Sequence, residues 1–179
     1  MGTDVYLGWE GMTKEEKEAQ YTGFDIGAGS TGYLRAAIGM VRENEALREI
    51  FPENIWEGKG KGFKIGGTKF IEFDFRGQYG AAMKAVLAYI LGRINEFLGG
   101  HIVEVPEADS VVEQQQVVLN IVMSMMSAVN SKEGDVKVHL SDSLDIDAAI
   151  IWASSVVQFM RLGCVKQEEG RRVGVYISW

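Results

Sequence analysis

Apolar and polar positions along this chain follow two periods, and the longest apolar run is Val-Val-Leu-Asn-Ile-Val-Met-Ser-Met-Met-Ser-Ala-Val at residues 117–129, with ten apolar side chains in thirteen and no charge. It is far longer than a typical strand of about 5–6 residues, and the helix formers Glu113 to Gln116 precede it, so the pattern predicts a helix over about 109–130. The polar positions Glu113, Gln116, Asn120, Ser124, Ser127 and Ser131 recur at steps of three and four. They form one narrow stripe on a helix otherwise buried on most sides. The stripe reads as a wet seam; the wall of a polar pocket is the alternative.

Elsewhere the pattern predicts shorter elements. Asp4 to Leu7 reads as a strand. Thr13 and Glu16 have the spacing of a reciprocal capping box that opens a charged surface helix ending before Gly23. A helix over about Ser30–Phe51 is expected to stop at Pro52, because the residue before proline avoids the helical region. Trp56 and residues 58–62 read as a mobile, mildly basic link. Phe63–Ile65 and Lys69–Phe75 read as a hairpin across Gly66-Gly67, with Ile71, Phe73 and Phe75 on the core face and Phe70, Glu72 and Asp74 on the wetter one. A helix over about Gln78–Leu98 follows, then a strand at 101–105 ended by Pro106. After the apolar helix come a strand at 136–140, a helix from Ser143 stopped by Gly163, and a strand at 173–178.

These elements predict an α+β fold in which a mixed β-sheet of about five short strands is covered by four to five helices. The second half alternates strands with helices as parallel crossovers do, so a three-layer α/β sandwich is the alternative. With 179 residues and neither linker nor repeat, residues 1–179 are expected to form one domain.

Composition narrows the functional classes. A net charge of −7 with no sizeable cluster of Lys and Arg argues against nucleic acid as a partner. The first residues lack the basic-then-apolar order of a signal peptide, and the polar positions of the long apolar run leave it below the apolarity a membrane span needs. No membrane partner is therefore expected. The lone Cys164 excludes an internal disulfide and favours a reducing, cytoplasmic setting. As a small apolar residue it is expected to be structural rather than nucleophilic.

The most motif-like segment is Gly23 to Arg35, with Asp25, Gly27, Gly29, Ser30, Tyr33 and Arg35 as candidate ligand contacts. Glycines let backbone N–H groups approach a phosphate, and a following helix N-terminus adds positive potential. The segment's Asp-x-Gly-x-Gly-Ser-Thr pattern resembles the phosphate-binding loop of the actin and sugar-kinase superfamily. That loop joins two long hydrophobic strands, whereas Glu18 to Tyr21 precedes it here, so a connection in which Ser30 or Thr31 caps a helix is the preferred reading. A second candidate lies at the predicted strand-to-helix junction, where His139 and Asp142, with Asp145 and Asp147, could hold a ligand. Helix capping explains the acids equally well. The two histidines lack the repeated spacing of zinc sites, so neither metal nor cofactor is predicted.

Residues 11–24 together with Gly32-Tyr33-Leu34-Arg35-Ala36-Ala37 resemble the opening of a family of small, uncharacterised bacterial and phage-associated proteins that share the capping-box helix and the Gly-Tyr-Leu-Arg entry. The resemblance covers about residues 11–37 and implies no activity.

Two functional classes remain. The first, favoured by the absence of a catalytic motif, is a non-enzymatic interaction or regulatory module that self-associates, with a homodimer as the expected assembly. The alternative is a protein or enzyme that binds a small molecule or phosphate in a pocket near His139 and Asp142.

Overall fold

The computed structural model describes residues 2–21, 28–37, 39–97 and 140–179. Strand β1 spans Thr3–Trp9 and helix α1 Lys14–Tyr21; a 3-10 turn at Ala28–Thr31 leads into β2, Tyr33–Ala36. Helices α2 (Val41–Ile50) and α3 (Glu53–Trp56) precede the hairpin strands β3 (Gly62–Ile65) and β4 (Thr68–Glu72). The long helices α4 (Phe75–Phe97) and α5 (Leu140–Glu168) come next, and β5 (Val173–Ser178) closes the described chain. The predicted helix over 109–130 and the predicted strand at 101–105 fall outside the described residues, as does nearly all of the predicted strand at 136–140.

The fold is α+β, a five-stranded sheet in the order β2-β1-β5-β4-β3 with several helices. Every described strand pair is antiparallel, so among the described residues the sheet is antiparallel rather than mixed. β5, expected to close a parallel crossover, instead runs antiparallel to β1 and β4. Val5, Leu7 and Trp9 of β1, Ile71 of β4, and Val173, Val175 and Ile177 of β5 point into the core, as the period of two requires. Phe51, Phe73, Phe75 and Phe159 gather beneath them, with the Phe73 and Phe75 rings 4.8 Å apart and the Phe51 and Phe159 rings 6.0 Å apart.

The helix expected over Ser30–Phe51 is divided. Positive φ at Gly32 and Gly39 breaks the backbone, and Tyr33–Ala36 pairs with Thr3–Tyr6; ladder pairing overrides a helical pattern that exists only locally. Pro52 ends α2 as expected, with Phe51 extended. The expected mobile link at Trp56 contains α3 instead, and the Trp56 indole N–H donates to Phe51 O at 2.8 Å.

Phe75 is not a strand residue: it opens α4 after Asp74, whose Oδ1 accepts from Gly77 N at 3.0 Å. This cap ends β4 and turns Phe75 inward. Gly163 does not stop α5, which continues to Glu168. Within it, Ala148–Glu168 has the length and apolarity of a membrane span. A buried core helix meets the same criterion, and Val156, Phe159 and Met160 are fully buried here.

Candidate functional site

Opposite the core, one aromatic ring from each strand forms a row across the sheet. Register dictates it: Tyr33 of β2 pairs with Tyr6 of β1, Tyr6 with Tyr176 of β5, and Phe70 of β4 with Phe63 of β3. The ring centroids lie 5.3 Å apart for Tyr6–Tyr33, 5.9 Å for Tyr6–Tyr176, 6.1 Å for Phe70–Tyr176 and 6.2 Å for Phe63–Phe70. These spacings lie within the range of favourable aromatic pairs.

Gly8 and Gly174 sit side by side beneath the middle of the row. A Cβ on Gly8 would lie 2.5 Å from Phe70 Cδ1, and one on Gly174 would lie 3.2 Å from Phe63 Cε1. The two rings occupy the space these glycines leave and cover their backbone, a pairing that stabilises sheet glycines. Phe70 is accordingly buried, whereas Tyr176 remains 37% exposed.

Ion pairs flank the row at both ends. At β2, the Tyr33 hydroxyl donates to Asp4 Oδ1 at 2.6 Å and Arg35 Nε stands 3.7 Å from the same oxygen. Burial, reinforced by the Asp4 carboxylate, pushes the Tyr33 phenol well above its ordinary value. At β3, the Arg172 guanidinium lies over the Phe63 ring at 5.3 Å and donates through Nε to Glu72 Oε1 at 2.9 Å. Lys61 Nζ is 3.3 Å from the other Glu72 oxygen, and the Arg172 hydrogen bond holds the Glu72 carboxyl below the usual range.

The structure distributes the residues singled out from sequence. Tyr33 and Arg35 are together on β2, two positions apart and gathered about Asp4. Gly29 belongs to the 3-10 turn and is pressed against α5: a Cβ there would stand 1.8 Å from Ser155 O. Its lack of a side chain thus serves packing, with a carbonyl oxygen at its surface. Ser30 is exposed on the same turn. Asp25, Gly27 and His139 lie outside the described residues; Asp142 falls in the first turn of α5, its side chain not among those described.

Cys164 is half-buried on α5, and burial raises its thiol pKa. It therefore stays protonated, a poor nucleophile. Among the described residues, no group of three or more His, Cys, Asp or Glu is arranged to hold a metal ion.

Sequence reasoning missed the row itself. Its signal is an aromatic residue on the parity opposite the core in each strand, and only strand order and register reveal that the five positions coincide.

No protein-family model, curated protein or solved structure matches the chain.

Proposed function

We propose that this protein is a non-enzymatic interaction module that self-associates, two copies meeting through the aromatic face of the sheet. The observation that supports this reading is the continuous row of five rings with Tyr176 exposed at its centre. Aromatic residues bury large areas at low entropic cost and are enriched at interface centres. The ion pairs Asp4–Arg35 and Arg172–Glu72 flank the row as a polar rim would.

Size sets the strength. Five strands at about 4.8 Å spacing and about 17 Å length span a planar area of roughly 400 Å²; with Tyr33 and Phe70 already buried, the area on offer is under half of the ~800 Å² per partner in a standard interface. The dimer is accordingly weak and reversible. The free-thiol chemistry of Cys164 suits a reducing compartment, so we place the module in the cytoplasm.

Sedimentation across a concentration series tests the reading. Wild type is expected to shift from monomer towards dimer as concentration rises into the high micromolar range, and Tyr176→Asp, at an exposed position, is expected to remain folded and monomeric. A wild-type monomer mass throughout the series would overturn it.

A further inference from the structure

The ladder between β4 and β5 stops early. Only Ile71↔Val175 and Glu72↔Gly174 are paired, although β4 begins at Thr68 and β5 continues to Ser178. The residues that would extend it, Lys69 opposite Ile177 and Thr68 opposite Ser178, instead line a cleft of about 540 Å³. On the opposite face of the sheet, the Phe70 and Tyr176 rings span the same gap at 6.1 Å.

Hydrogen-bond parity identifies the groups that face the cleft. Phe73 N donates to Val173 O, so odd-numbered residues of β5 direct their backbone groups towards β4, while Gly174, Tyr176 and Ser178 serve β1. Ile177 therefore aims its N–H and C=O at β4, and Lys69 aims its own back. Their bridge is absent from the ladder. Backbone groups in such a setting favour a partner over a dry gap.

The cleft also has a built aromatic wall. The Trp56 ring is fixed by its indole hydrogen bond to Phe51 O, and the Arg48 guanidinium lies 4.5 Å from the ring centroid. Trp179 meets Trp56 edge-on at 6.2 Å while remaining 65% exposed.

We propose that this cleft binds an extended peptide segment of a partner protein, one secondary amide of which completes the interrupted ladder. A trans amide directs its C=O and N–H in opposite directions, so a single peptide unit accepts from Lys69 N–H on one side and donates to Ile177 C=O on the other. A neighbouring aromatic side chain of the peptide rests against Trp56 and Trp179. Main-chain pairing supplies affinity and the indoles supply selectivity, as in strand addition at a sheet edge. The cleft lies beside α3 and shares only Tyr176 with the aromatic face, so the two proposals are separated by their readouts.

The test uses the full chain and the blocked peptide acetyl-Gly-Phe-Gly-amide, with an analogue in which the Phe–Gly amide N–H is replaced by an ester oxygen and another in which the Gly–Phe amide is so replaced. Titration followed by backbone amide NMR is expected to shift Lys69 and Ile177 and the indole signals of Trp56 and Trp179. One ester analogue is expected to bind several-fold more weakly than the amide, and Trp179→Ala is expected to weaken binding while leaving the fold intact. Absence of shifts at Lys69 and Ile177 at millimolar peptide, equal binding by both ester analogues, or shifts confined to Tyr6, Tyr33 and Phe63 would each overturn it. Dimer formation reads out as mass and peptide binding as amide shifts, so either reading can fail without the other.

Discussion

Gly163, near the C-terminal end of α5, lies directly against the ring of Phe75 at the start of α4: a Cβ on the glycine would come within 2.3 Å of Phe75 Cδ1. Phe73 stands 4.8 Å and Phe159 6.0 Å from the same ring, centroid to centroid, so it has little room to retreat. Gly163→Ala should therefore destabilise the fold. Overpacking costs about 1–3 kcal/mol, which outweighs the ~1 kcal/mol that alanine's helix propensity returns. Gly92→Ala is the control: among the described residues nothing lies within 4 Å of a Cβ placed there on α4, so that variant should gain about 0.5–1 kcal/mol. Urea melts of the two variants should move in opposite directions.

The capping box at α1 is present in both halves. Thr13 N donates to Glu16 Oε2 at 2.8 Å and Glu16 N donates to Thr13 Oγ1 at 3.1 Å. Glu16 Oε2 also accepts from the Trp9 indole at 3.2 Å, which ties the cap to β1. Thr13→Ala is expected to cost about 1 kcal/mol. Chemical denaturation indistinguishable from wild type would show that the cap contributes nothing.

Tyr89 of α4 donates to the buried Glu43 of α2 at 2.5 Å. Tyr89→Phe would leave a buried carboxylate oxygen without this donor, at about 1–3 kcal/mol. The loss should appear at neutral pH as a lower denaturation midpoint.

The same hydroxyl makes stability depend on alkaline pH. Burial, then the hydrogen bond to Glu43, raises its folded pKa above the unfolded value, which is about 10. Its contribution is fully present below about pH 10 and is lost as pH rises towards the folded pKa. Wild type should lose up to about 1.4 kcal/mol per pH unit from this group above that point. Tyr89→Phe should show a shallower decline in melts taken from neutral to strongly alkaline pH.

What was legible in the sequence was local. The capping box, the Gly66-Gly67 hairpin and the stop at Pro52 each depend on residues within a few positions of one another, and each occurs as read. The strand Tyr33–Ala36 was hidden because its partner, Thr3–Tyr6, lies some thirty residues earlier. Its apolar spacing alone fits a helix equally well. Gly163 looked like a helix stop because its requirement comes from Phe75, nearly ninety positions away. Of the candidate site residues, Tyr33 and Arg35 belong in sequence to a Gly-rich segment, yet the structure joins them to Asp4 at one end of an aromatic row. No window of sequence contains that row.

The central strand β5 is the last element in chain order, held between β1 and β4. During synthesis the pair β1–β2 and the hairpin β3–β4 can each form, but nothing can join them until residues 173–178 leave the ribosome. Until then both halves present an unsatisfied strand edge, the kind of surface that invites pairing with other chains. Assembly of this sheet thus waits for β5, and truncation between Glu72 and Val173 would release two sticky halves rather than a smaller version of the fold.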